Sequence, residues 1–147
     1  MEDLPRYVPE KPMYGLRTSE GGEPIRGSDL RYIEDSSKRD DAAEVLNVYL
    51  DQQREQRTEP HIYLNMLFTD SAFQDRGLGN TMMEWGNELA DSLMVASWVE
   101  ASEHGQKLYL KAGYEAGQSV LVKNKSWTVE WLPMRRPAKQ LKHVDIK

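Results

Sequence analysis

Gln74-Asp75-Arg76-Gly77-Leu78-Gly79-Asn80 is the stretch of this chain whose residue types and spacing suit a specific chemistry. Two glycines one residue apart let the backbone take positive φ or lie bare against a ligand. A helix is expected to begin directly after them, so its unpaired N–H groups and the positive end of its dipole face the loop. That environment favours a phosphate or pyrophosphate. Arg76 adds a cation and Gln74 a neutral donor. Two familiar phosphate motifs do not fit. A dinucleotide fingerprint needs a third glycine where Met82 stands, and no Gly-Lys precedes Ser or Thr as a Walker loop requires. The Gly-x-Gly pair also fits a turn that merely joins a strand to a helix.

Several elements must hold this loop in place. Before it, His61 to Thr69 is almost continuously apolar, short and preceded by Pro60, which predicts a largely buried strand. After it, Leu78, Met82, Trp85, Leu89 and Leu93 recur at steps of three or four and mark one face of a helix. A strand is expected over Val95–Ala101, then a short helix over Gln106–Lys111 closed by Gly113. Ser119–Val122 and Trp127–Leu132 read as two further strands joined by a turn at Asn124-Lys125. Upstream, a helix is expected from Asp41 to about Arg57, with Ala42, Val45, Leu46, Tyr49 and Leu50 on one face. Residues 1–29 read as loop, broken by Pro5, Pro9, Pro12 and Pro24. From His61 onward the order is strand, helix, strand, helix, strand, strand, an α/β pattern.

The 147 residues suit one domain with one ordinary core. The formal net charge of -5 and pI of about 5.3 speak against a general affinity for nucleic acid or anionic membrane. Mean hydropathy is -0.73 and 29% of residues are charged, but four Trp and seven Tyr argue for a packed region. Without cysteine there is no disulfide, thiolate metal site or cysteine nucleophile. The three His show no metal-ligand spacing, so no metal is expected. No apolar run has the length of a membrane span, and Met1-Glu2-Asp3-Leu4-Pro5 does not resemble a signal peptide. The expectation is a soluble cytoplasmic protein, with the nucleus left open. Arg135, Arg136, Lys139, Lys142, His143 and Lys147 give a basic end that reads as a solvated tail.

Gln74-x-x-Gly77-x-Gly79 resembles the Gln/Arg-x-x-Gly-x-Gly/Ala signature of the GNAT superfamily of acyl-CoA-dependent N-acyltransferases. The flanking Met66-Leu67-Phe68-Thr69, Val99-Glu100-Ala101-Ser102, Leu108-Tyr109-Leu110-Lys111-Ala112-Gly113-Tyr114 and Pro133-Met134-Arg135-Arg136-Pro137 follow in the order of that fold's second half. The resemblance covers about residues 60–137. It implies a GNAT-like mixed sheet with flanking helices, incomplete at its N-terminal side. The organisation expected is a loosely built segment at 1–40, the acetyltransferase domain at 41–137 with its preceding helix, and the tail at 138–147.

The resemblance also implies roles. Gln74, Arg76, Gly77, Leu78, Gly79 and Asn80 would bind the pyrophosphate of acetyl-CoA, and the backbone of Leu67, Phe68 and Thr69 its pantetheine arm. The strands on either side splay to admit that arm, and an amine then attacks the thioester. Tyr109 matches the tyrosine that protonates the departing thiolate. Glu100 stands where a general base is found in some members, with His61 as a weaker choice. Asp75 departs from the pattern, since a carboxylate there repels pyrophosphate unless it points away. Residues 1–60 lack the front strands and helices that shape the acceptor site. Two alternatives to an enzyme therefore stand beside it: a cofactor-binding or regulatory module without turnover, and a partner-dependent fragment. A missing neighbour would leave the first strand with an open edge that invites homodimer formation.

Overall fold

The computed structural model describes residues 23–140, which divide into two units. The expectations for residues 1–22 and for the tail at 141–147 lie outside the described residues. The first unit takes residues 23–56 together with Val122–Thr128. Asp35 caps a short 3-10 turn by accepting a hydrogen bond from the Ser37 amide at 3.0 Å. Helix α1 (Arg39–Gln56) follows, with Asp40 and Asp41 in its first turn, where carboxylates suit the helix dipole. Its Ala42 and Ala43 let Ile25 and Leu30 approach closely, and Ile33, Leu46 and Leu50 pack around them. Asn47 ties the chain entry down: Ile25 N–H donates to its Oδ1 and its Nδ2 donates to the Ile25 carbonyl, both at 2.8 Å. Residues 23–40 therefore differ from the loose segment expected, because Leu30 is wholly buried. Asn124 Nδ2 donates to the Asp41 carbonyl at 2.8 Å, and Ser126 Oγ donates to the Asp41 carboxylate.

The second unit takes Arg57–Leu121 and the chain from Val129 onward. Its centre is β1 (His61–Leu64), α2 (Leu78–Leu93) and β2 (Ala96–Ala101), a parallel crossover running from His61↔Ala96 to Leu64↔Val99. Helix α3 (Gln106–Lys111) leads to β3 (Glu115–Ala116), β4 (Val120–Lys123) and β5 (Thr128–Arg136). β5 lies antiparallel to β2 and also pairs with β3 and β4, giving the order β1-β2-β5-β3. The result is the mixed sheet with flanking helices that was expected. Among the described residues no strand precedes β1, which pairs only with β2 and leaves one edge open. The core joins Val99 and Ala101 of β2, Met134 of β5, Met83 of α2, and Tyr109 and Tyr114, with Leu64, Leu67 and Leu108 packed around it.

Three expectations need correction. The strand expected over His61–Thr69 ends at Leu64. Leu67 still packs on the core, but Met66 and Phe68 are 74% and 76% exposed. β5 runs on to Arg136, four residues past the expected end at Leu132, and carries Pro133 with it. The Pro133 carbonyl accepts from Gly117 N–H at 2.8 Å, so proline's missing donor does not prevent pairing on its β3 side. Helix α2 has the expected extent but is rotated from the expected face. Met83 and Ala90 meet the core, whereas Leu78, Met82, Trp85, Leu89 and Leu93 are exposed.

Candidate active site

The chain between β1 and α2 opens a hollow, because pairing with β2 stops at Leu64↔Val99 while β2 itself continues to Ala101. Strands that part in this way leave a gap at the carboxyl ends of parallel strands, where α/β sheets receive ligands. Asp70 caps the 3-10 turn Ser71–Phe73 through the Ala72 amide at 2.8 Å. Gln74 Nε2 then reaches back to the Thr69 carbonyl at 3.0 Å, fixing the loop to the end of the segment it follows. Asp75 and Gly77 both adopt the left-handed conformation, with φ of 59° and 78°. Gly77 is the N-cap of α2 and offers no side chain to its first amides. The open amides of that turn are the donors an anion would use.

The hollow has a volume of about 530 Å³. It brings together Leu67, Phe68, Thr69, Gln74, Gly77, Leu78, Gly79 and Tyr109 from the expected site. Arg76, Asn80 and Glu100 are not among its lining residues. Arg76 donates to the Ala72 carbonyl at 3.2 Å and stands 5.4 Å from the Phe73 ring centre. Asn80 lines a separate hollow of about 290 Å³ with Met83, Glu84, Asn87, Lys111 and Ala112. Beyond Phe73 in the loop and Leu108 on α3, sequence reasoning missed three lining residues at the β2–α3 turn, Ser102, His104 and Gly105. Their position just past the end of β2 was the available signal, since ligands gather at strand carboxyl ends. Asp75, the residue that departs from the expected pattern, also lines the hollow.

Tyr109 enters from α3, whose first turn is set by Tyr109 N–H donating to the Gly105 carbonyl at 3.2 Å. A methyl group on Gly105 would lie 2.8 Å from Tyr109 Cε2, so only glycine leaves room for the ring. The ring is 8% exposed and its centre is 5.9 Å from that of Tyr114. Burial, and then the neighbouring Tyr114, raises the Tyr109 phenol above its ordinary value. It is therefore neutral and able to donate across the physiological range.

Glu100 is turned to different work. It is ion-paired with Arg57, and the two side chains are 7% and 6% exposed. The Arg57 guanidinium also lies 4.0 Å from the ring centre of Tyr63 and 5.9 Å from that of Trp98, two residues directly paired across β1 and β2. His61 Nδ1 is 2.7 Å from the Glu59 carbonyl, and His61 is not among the residues lining the Tyr109 hollow. Among the described residues no cluster of three or more His, Asp or Glu could hold a metal ion, and no helix is long and apolar enough to cross a membrane.

The bare backbone at the start of α2 suits an anionic group. Gly77 has nothing within 4 Å of the position a Cβ would take, so its backbone is open to a ligand. A family model described as an acetyltransferase (GNAT) domain matches residues 40–136. No curated protein matches the chain.

Proposed function

Since the chain belongs to the GNAT acetyltransferase family, we propose that it transfers an acetyl group from acetyl-CoA to a primary amine by direct attack. The observation that carries this reading is the single hollow shared by the Leu67–Thr69 segment, the Gln74–Gly79 loop and Tyr109. Gly77, Leu78 and Gly79 hold the pyrophosphate through main-chain N–H groups, and Leu67 to Thr69 orient the pantetheine arm. Arg76 and Asn80, outside the lining, act at its margin. When bound, acetyl-CoA supplies the activated acyl group. The amine nitrogen forms its bond to the acetyl carbon as the carbon–sulfur bond breaks, Tyr109 Oη gives its proton to the sulfur, and the proton that the nitrogen sheds passes through solvent to restore the phenol. The same proposal includes a cytoplasmic location and a homodimer formed through the open edge of β1.

Calorimetry with acetyl-CoA tests the first step. Binding that Gly79→Glu weakens is expected, and no binding by the folded protein would refute the reading. A Cβ at Gly79 would approach Leu108 Cδ2 to 3.3 Å. Folding of that variant must therefore be checked by its melting temperature. The second reading, a module that binds acetyl-CoA without turnover, is favoured by the pairing of Glu100 with Arg57, which occupies the carboxylate expected to act as base. Tyr109-dependent release of CoA with an amine panel removes this second reading. Binding without release establishes it.

A further inference from the structure

Helix α2 carries apolar side chains on two opposite sides. Met83 and Ala90 meet the core, while the stripe of Leu78, Met82, Trp85, Leu89 and Leu93 faces away from it, with Trp85 69% exposed. A helix apolar on both sides belongs between two neighbours, and the core supplies only one. Met94, just past the helix, extends the exposed stripe, and none of the six residues is charged. Together they leave roughly 700 Å² open, more than the ~300–600 Å² of the largest patch on a typical monomer. A stable interface takes about 800 Å² from each partner, so one such stripe nearly suffices.

The spacing of the stripe says what covers it. The steps from Leu78 to Met82, Trp85 and Leu89 are four, three and four, those of a coiled-coil seam. The stripe is also symmetric about the midpoint between Trp85 and Gly86. Leu78 and Leu93 are equally far from that point, as are Met82 and Leu89. A two-fold axis there makes an interface in which each residue of a pair meets the other's copy. Leu78 then faces Leu93, Met82 faces Leu89, and each indole faces the partner's Gly86. A Cβ at Gly86 would meet nothing within 4 Å, so nothing in its own chain crowds this position. Glycine inside a helix is unfavourable relative to alanine, and a flat indole laid over it gives it a use. A parallel pair would instead set the two indoles against each other.

We propose that α2 seats a second copy of this chain, antiparallel, with the two Trp85 side chains at the centre. This contact goes beyond the acetyl-transfer reading and does not depend on it, since only Leu78 is shared with the Tyr109 hollow. It is also separate from the open edge of β1, because it uses side chains of a helix rather than backbone groups of a strand.

Sedimentation equilibrium on the full chain gives the first test. Wild type is expected at no less than twice the chain mass of 17.0 kDa, and Trp85→Glu at half the wild-type mass. The dissociation constant should rise about 100-fold, the scale of a central tryptophan lost from an interface. Gly86→Leu, which has open space in its own chain, should also weaken association while the helical signal in circular dichroism is kept. A monomeric wild type overturns the proposal and leaves the face to a different protein. A mass unchanged by Trp85→Glu overturns it as well.

The absence of cysteine allows a test of direction. Met82→Cys and Leu89→Cys chains, mixed under mild oxidant, should link to each other and not to themselves. In the antiparallel pair, position 82 lies about 10 Å along the helix from its own copy, which is beyond the reach of a disulfide. Self-linking of Met82→Cys as fast as the mixed product overturns the antiparallel seam.

Discussion

A phenol that is to protonate a departing thiolate has to keep its proton until the thiolate forms. Tyr109 is held in that state by burial and by Tyr114, which both raise it. Tyr109→Phe should lower kcat by about 100-fold, the scale of a lost general acid, while acetyl-CoA affinity by calorimetry stays the same. A parallel loss of affinity would make Tyr109 a packing residue instead. Gly105 acts on the same ring through space alone. Gly105→Ala would set a methyl 2.8 Å from Tyr109 Cε2, so the ring must move. Turnover and melting temperature should both drop, because the ring belongs to the core and must shift, although the φ of -81° at Gly105 itself accepts alanine. Asp75 works in the opposite sense. This acidic residue is among those lining the hollow in which the pyrophosphate is proposed to sit. Asp75→Asn should tighten acetyl-CoA binding about fivefold, on the order of 1 kcal/mol of screened repulsion, most visibly at low salt.

At the level of elements, the boundaries of α2 were legible and its orientation was not. A stripe at steps of three and four says which side chains share a face, but nothing in it says which face meets the sheet. Here Met83 and Ala90 face inward, where the small Ala90 allows close approach, and the larger stripe is left outside. β1 was overestimated for a related reason. The apolar letters of Met66 and Phe68 look like strand, but whether backbone groups find a ladder depends on the neighbour strand, which hydropathy does not report. The glycine loop and Tyr109 were readable because each rests on residue types at fixed spacing. The pairing of Glu100 with Arg57 was not, since it joins residues 43 apart in sequence. The end of β5 is tied to the last turn of α2 by two Arg136–Asp91 hydrogen bonds of 2.8 and 3.1 Å. Arg136→Ala should therefore cost about 1 kcal/mol in urea unfolding, the scale of a partly exposed two-pronged ion pair.

For the molecule as a whole, titrating groups bound the pH range of stability from both sides. Burial raises the Tyr109 and Tyr114 phenols in the folded state. Their contribution is intact below the unfolded value near 10 and is lost as pH rises through the higher folded values. Hydrogen bonding to Arg136 and Arg135 lowers the Asp91 and Glu59 carboxyls. Their contribution is intact above the unfolded values near 4 and is lost as pH falls through the lower folded ones. Urea midpoints should be flat between these limits and decline outside both. The parting of β1 from β2 after Leu64 bears on a different observable, the rate at which peptide hydrogens trade with deuterated water. Residues 65–69 continue the strand in sequence without continuing its ladder, so their amides should exchange far faster than the β1 amides that face β2. Acetyl-CoA should slow exchange across that short stretch, so that the arriving cofactor acts there as a temporary neighbouring strand.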